Sequence, residues 1–268
     1  MLKKILLVLM ICFTSNLAVV AACKNYSVSF DDGIYHIVVD TTSNEHSFKS
    51  ILTENLVTNK SVNKSCDAIF TINAGFFDPK NQKTISYIYS DGQLQEDPLS
   101  NENLVNNPSI TKNWNIISNR TEFRIINDCD KLVYDIDGHD NPYKGKLVES
   151  LQAGPMLLPQ MDLAKEYFVV KNKQGTVIRE SASVLHKSAR TLIGIKGNEV
   201  HIFIVTDKHP MDIYEAQELC KSYNLDKAMA FDGGSSTSFD YLNKYHVVST
   251  GISGDDTGRR LKSFLIFK

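Results

Sequence analysis

The sequence predicts a sheet-rich chain of the α+β or mixed α/β class, a single domain with a strand-helix-strand unit near its C-terminus. Three observations carry that expectation. Apolar runs of strand length recur along the chain, helical periodicity is confined to one good stretch, and neither an internal repeat nor a long low-complexity tract divides the sequence.

The N-terminus reads as an address rather than as part of the fold. Met1, Leu2, Lys3 and Lys4 precede an apolar run from Ile5 to Phe13, and small residues follow at Val20, Ala21 and Ala22. A charged start, an apolar middle and a small-residue end make a secretory signal, assigned to residues 1–22. The run falls short of the roughly 20 apolar residues that span a bilayer, and Thr14, Ser15 and Asn16 interrupt it. No later stretch approaches that length, so the expectation is an exported chain, periplasmic or secreted, without a membrane span.

Cys23 leaves two readings open. Val20-Ala21-Ala22-Cys23 resembles the box before an acylated lipoprotein cysteine, which would supply a lipid anchor. Without lipid, Cys23 joins Cys66, Cys129 and Cys220 in an even set of four, which suits disulfide bonds in an oxidising compartment.

About 245 residues follow the signal, and residues 24–268 are assigned to one domain. The 29 basic and 31 acidic residues give a formal net charge of -2, which offers no general field for nucleic acid or anionic membranes. No nucleic-acid partner is expected.

Strand-like runs are Tyr35 to Asp40, Ala68 to Ile72, Glu122 to Ile126, Lys131 to Ile136, Phe168 to Val170, Thr191 to Ile195, Val200 to Thr206, Lys227 to Phe231 and Leu261 to Phe267. The polar stretch from Asn81 to Asn115 reads as loops or a lid. The one clear helix is Asp212 to Tyr223, where Ile213, Ala216, Leu219 and Cys220 recur at helical spacing. Asp212 with Glu215 makes a capping box, and Asn224 is a fair stop. Lying between two apolar runs, this helix predicts parallel flanking strands with adjacent carboxyl ends.

Ligand sites form beyond such ends. The ends here are Asp207 and Asp232, and a third apolar run delivers Asn73. The turn-rich Lys196-Gly197-Asn198-Glu199 predicts a hairpin that brings Arg190 about level with Asp207, where it either binds an anion or pairs with an Asp. Phe231-Asp232-Gly233-Gly234-Ser235-Ser236-Thr237 is the strongest local pattern. Two glycines permit positive φ and close backbone approach, so amides and hydroxyls can surround an anion or a sugar; a solvated hairpin is the plain alternative.

Asn73-Ala74-Gly75-Phe76-Phe77, Gln152-Ala153-Gly154-Pro155, Arg190-Thr191-Leu192-Ile193-Gly194, Asp232-Gly233-Gly234-Ser235-Ser236-Thr237 and the terminal Arg260 to Phe267 strand occur in an order and spacing that resembles the phosphodiester glycosidase family. The resemblance spans roughly Asp67 to Lys268. It implies hydrolysis of a sugar-1-phosphodiester at the glycosidic carbon, with a carbohydrate phosphodiester as substrate, on a cell-envelope glycan or exopolysaccharide. Asp207-Lys208-His209-Pro210 departs from the family's usual Asp-Gly-Arg turn, and Ser235 stands where a third glycine is common.

A glycosyl phosphodiester has a good leaving group, so stabilising the phosphate and the oxocarbenium-like sugar matters more than protonation. Asp232 is the candidate nucleophile or general base. Arg190 with Gly233, Gly234, Ser235, Ser236 and Thr237 is expected to hold the phosphate, and Asn73 and Gln152 to bind sugar hydroxyls. Asp207 and Asp78 are reserve carboxylates. Hard oxygen ligands could hold Ca²⁺, but no compact ligand motif exists, so neither metal nor cofactor is expected. His186 and His209 read as surface or lining residues, and one of Phe76 and Phe77 as core. The rival reading is a glycan-binding or envelope protein of the same fold without turnover.

Overall fold

The computed structural model describes residues 25–43, 45–249 and 258–268. The secretory signal, the lipid-anchor box and Cys23 lie outside the described residues.

The chain begins with strands β1 (Tyr26–Asp31), β2 (Ile34–Asp40) and β3 (Phe48–Val57), helix α1 (Asn59–Cys66), and strands β4 (Phe70–Asn73), β5 (Ile88–Ser90) and β6 (Gln93–Glu96). Three one-turn helices, α2 (Glu102–Val105), α3 (Pro108–Thr111) and α4 (Trp114–Ile117), lead to β7 (Thr121–Asp128), β8 (Lys131–Gly138), β9 (Lys146–Gln152) and β10 (Met156–Leu158). A small hairpin, β11 (Val169–Lys171) and β12 (Val177–Glu180), precedes β13 (Arg190–Lys196), β14 (Glu199–Val205), helix α5 (Ile213–Ser222) and β15 (Lys227–Ala230). The last strands are β16 (Ser238–Tyr241), β17 (Tyr245–Val248) and β18 (Leu261–Phe267).

Three larger sheets result, in the orders β1-β2-β14-β13-β15-β10, β17-β16-β4-β18-β3 and β6-β5-β9-β7-β8. One core cluster draws on all three, with Ile37, Leu192 and Ile202 from the first, Phe70, Phe239 and Phe267 from the second, and Ile88, Phe123 and Leu151 from the third. Strand alternation divides the labour in β18. Leu265 and Phe267 face this cluster, whereas Phe264 and Ile266 face a second one with Val62 of α1. The fold is therefore sheet-rich, with few helices, as the frequent strand-length runs predict.

The strand-helix-strand unit differs from its prediction in one respect. β14 and β15 run in the same direction, but β13 lies between them and pairs antiparallel with both. The turn-rich tetrad at Lys196 to Glu199 closes the tight β13-β14 hairpin, and this hairpin takes the central place. Its register sets Arg190 opposite Val205, two residues short of Asp207. Helix α5 carries the expected capping box. Asp212 accepts the Tyr214 and Glu215 amides, Glu215 accepts the Asp212 amide at 3.0 Å, and Asn224 takes the left-handed conformation beyond the helix.

The polar stretch from Asn81 to Asn115 is ordered as β5, β6 and the turns α2 to α4. The expected disulfides do not form among the described residues. Cys66 is half-buried, Cys129 is exposed and Cys220 is buried in α5, each as a free thiol. Burial pushes the Cys220 thiol up to about 12, which leaves it protonated and inert. No helix among the described residues is long and apolar enough to cross a membrane.

Candidate active site

The Asp232 loop is where two sheets are stitched together. Beyond β15, the Phe231 amide donates to Thr191 at 2.8 Å, and the Asp232 amide donates to Ala74, just past β4, at 2.9 Å. The two glycines then do different jobs. A Cβ on Gly233 would stand 3.2 Å from the Ala189 carbonyl, so this position needs the close approach only glycine gives. Gly234 takes φ +59 in open space, donates to Ala189 at 2.8 Å and starts the turn Gly234–Ser236.

Asp232 lines a cleft of about 740 Å³, counting its open mouth, and is the one carboxylate among its described lining residues. Its walls carry Phe76, Phe77 and Phe168, with Arg120, Arg179 and Arg259 as cations. Leu104 and Ile110, from the stretch read as loops or a lid, and Ile117 just beyond it, close another side. Phe76 packs in the main core and Phe77 in the second cluster, yet both reach the cleft; neither is core alone.

Burial pushes the Asp232 carboxyl up to about 6, from 3.8, against the opposing pull of the Ser236 hydroxyl, the Arg259 charge, the Gly233 amide and the Arg190 charge. The group is thus poised to hold or release a proton near neutral pH. Arg259 donates from Nη1 to Ser236 Oγ at 3.0 Å and to Ser235 Oγ at 3.3 Å, and its guanidinium lies 4.9 Å from the centre of the Phe77 ring. Gly258 makes that position available: it has φ +73, and a Cβ there would stand 2.4 Å from Val248 Cγ1.

Arg190 is buried and serves the backbone rather than an anion. Its Nε donates to Met211 at 2.9 Å, and its Nη2 reaches the carbonyls of Ser183, Val184 and His186. It forms no ion pair with Asp232, nor with Asp207. Burial lowers its pKa, while Asp212, Glu180 and Asp232 oppose the shift.

Asn73 is also a cross-link. Its Nδ2 donates to the Asp232 carbonyl at 2.5 Å, and its Oδ1 accepts the Thr191 hydroxyl at 2.6 Å and the Ser238 amide at 3.1 Å. Gln152 likewise spends its amide inside the protein, on the Ser118 and Arg120 carbonyls and the Tyr87 amide. Neither side chain is left to take a sugar hydroxyl, and both instead hold the Asp232 loop and the Arg120 backbone in place. Thr237 is buried, with its hydroxyl unpartnered among the described residues.

Asp207 is exposed and accepts the Ser249 hydroxyl at 2.9 and 3.1 Å, and Asp78 accepts the Lys80 amide and the Asn103 side chain. Neither lines the cleft, which removes both reserve carboxylates from the chemistry. His186 is exposed beside Glu180 at 3.4 Å, and His209 lies 3.0 Å from Asp32, so both sit at the surface.

Sequence reasoning did not select Arg120, Arg179, Arg259 or Phe168. Arg259 had a signal in Gly258-Arg259-Arg260 directly before an apolar strand. Arg120, ahead of β7, and Arg179, in a short two-stranded hairpin of mixed composition, had none.

The sequence profile of the phosphodiester glycosidase family matches residues 67–268, and the chain belongs to that family. No curated protein sequence matches it. Among solved structures it is similar to the catalytic domain of zebrafish N-acetylglucosamine-1-phosphodiester α-N-acetylglucosaminidase, auto-inhibited by pro-peptide, with a TM-score of 0.61 and 16% identity over 90% of this chain and 81% of that one. A Burkholderia pseudomallei protein described as exported gives a TM-score of 0.62 at 11% identity, over 90% of this chain and 74% of that one. A hypothetical protein from Synechocystis gives 0.58 at 13% identity; 91% of this chain is covered, and it spans 62% of the Synechocystis chain. At these identities the likeness is one of fold.

Proposed function

We propose that this chain is an exported glycosidase that hydrolyses sugar-1-phosphodiesters at the bond between the anomeric carbon and the bridging oxygen. The observation that carries the reading is Asp232, the one carboxylate among the described lining residues of a cleft that also holds three arginines. Two carboxyl groups serve ordinary glycosidases, one of them as an acid for a poor leaving group. A phosphate ester leaves without such help, so one carboxylate and a cation suffice.

In this reading Arg259, steadied by Ser235 and Ser236, receives the phosphate and stabilises the charge that grows on it as the bond breaks. Asp232 acts in its ionised form, either as nucleophile at the anomeric carbon or as the base that takes a proton from water. Water's oxygen ends on the sugar, and the bridging oxygen leaves with the phosphate as a monoester. The apolar wall of Phe76, Phe77 and Phe168 gives the sugar a face to pack against and keeps bulk water from the site. Arg190, Asn73 and Gln152 are positioning residues.

The export reading is supported by the pattern from Met1 to Ala22, and an envelope glycan or exopolysaccharide is the substrate source it suggests. Mass spectrometry of the mature N-terminus tests the export. Purified Lys24 to Lys268, given a panel of sugar-1-phosphodiesters and the matching alkyl glycosides, tests the activity: cleavage of the diesters alone supports it, and equal rates on both overturn it.

A further inference from the structure

Arg124 is held by Glu122 at 2.6 Å, and Lys227 by Asp135 at 2.6 Å. The three cleft arginines differ from these two, since among the described residues none of them makes an ion pair. Arg120 and Arg179 are moreover brought together on one acceptor, the Tyr167 carbonyl, which Arg120 Nη2 reaches at 3.3 Å and Arg179 Nη1 also takes. Burial, with repulsion from Arg179 added and only partly offset by Glu166, lowers the Arg120 pKa to about 10. Two guanidiniums converging on one carbonyl, with Glu166 offsetting only part of the cost, favour a ligand that brings its own negative charge.

The hydrogen bonds these arginines make also show which edges are spent. Arg120 uses Nε and Nη2 on the Glu166 and Tyr167 carbonyls, Arg179 uses Nη1, and Arg259 uses Nη1. Among the described residues, Arg179 and Arg259 therefore each keep the whole Nε and Nη2 edge, the fork that grips two oxygens of one phosphate. Both side chains line the cleft, and none of these nitrogens is buried without a partner. A phosphodiester has two non-bridging oxygens and one negative charge, which fill one fork. The second fork has no work on such a substrate.

Resting on the hydrolytic reading above, we propose that the substrate of this cleft is a sugar joined through a diphosphate, with Arg259 gripping the phosphate next to the anomeric carbon and Arg179, backed by Arg120, gripping the second. The step balances as before: the anomeric carbon to oxygen bond breaks, water's oxygen goes to the sugar, its proton goes to Asp232 and on to solvent, and the whole diphosphate departs with the bridging oxygen.

Calorimetric titration of inorganic pyrophosphate and inorganic phosphate into the full mature chain tests this without needing turnover. Pyrophosphate should bind at least about tenfold tighter than phosphate to the wild type, and the advantage should shrink to about threefold or less in Arg179→Gln. Arg179→Lys, which keeps the charge and loses the fork, should lose the advantage equally, with melting temperatures showing that both variants fold. In turnover, a nucleoside-diphosphate sugar should exceed the methyl phosphodiester of the same sugar in kcat/KM, and Arg179→Gln should reduce the former at least about tenfold more than the latter. Equal affinities in the wild type, or variants that weaken both ligands by the same factor, would overturn the diphosphate assignment while leaving single-phosphodiester hydrolysis standing. Equal hydrolysis of phosphate-free glycosides would instead remove the hydrolytic reading, and the pyrophosphate titration would still judge the forks.

Discussion

Arg259 Nη1 lies 3.0 Å from Ser236 Oγ, and the same hydroxyl is hydrogen-bonded to Asp232. This relay joins the segment before β18 to the loop after β15, so the cation proposed to receive the phosphate and the carboxylate are set by one contact. Ser236→Ala removes a hydrogen bond that holds the Asp232 pKa down. The acid limb of kcat/KM should therefore move to higher pH than in the wild type, and a limb that stays in place would dissociate Ser236 from the carboxylate.

Asp232 itself should produce that acid limb near pH 6, because the active form is ionised and burial raises its pKa to about 6. Asp232→Asn should lower kcat by about 10²-fold to 10⁴-fold or more. Stability should move oppositely. A raised folded pKa contributes stability that is fully present below the unfolded value of 3.8 and is lost as pH rises through about 6. The Asn variant should thus gain in melting temperature on the wild type between pH 4 and pH 7, read by thermal melts across that range.

Gly258→Ala should lose activity without touching substrate. The position has φ +73, and the new Cβ would collide with Val248 at 2.4 Å. The strain should cost about 1–3 kcal/mol and displace Arg259, so KM for phosphodiesters should rise, as it should also in Arg259→Gln. A variant with wild-type KM and melting temperature would contradict the positioning argument.

Asn73→Ala and Arg190→Lys should act mainly through the fold. Two of the three Asn73 bonds are buried and the one to the Asp232 carbonyl is part-buried, and deleting buried partners costs about 1–3 kcal/mol. Denaturant melts should record the loss in both variants. A melting curve unchanged in Arg190→Lys, with activity lost on diesters alone, would return Arg190 to the phosphate.

Much of this molecule is legible in the sequence, and the residues show why the rest is not. β18 ends in an uninterrupted apolar run of strand length and α5 carries clean helical spacing, so both stand close to their predicted bounds. β9 does not, because Glu149 sits buried within it as acceptor for the Ser50 and Asp91 amides. β16 hides for the same reason, with buried Asp240 held by His246 at 2.6 Å. In the site, the motifs single out the Asp232 loop, which the fold places on the cleft, but a motif cannot say whether a polar side chain faces the ligand or the backbone. Arg190, Asn73 and Gln152 face the backbone, and the cations that face the cleft come from segments far apart in the chain that only the folded sheets bring together.

The most direct test of the account follows the oxygen of water. Hydrolysis of a sugar-1-phosphodiester in ¹⁸O-labelled water, read by ³¹P NMR of the phosphomonoester product, reports which bond breaks. Cleavage at the anomeric carbon, as the Asp232 and Arg259 arrangement requires, leaves the phosphate free of ¹⁸O. One ¹⁸O on the phosphate would place the attack at phosphorus and contradict a glycosidase.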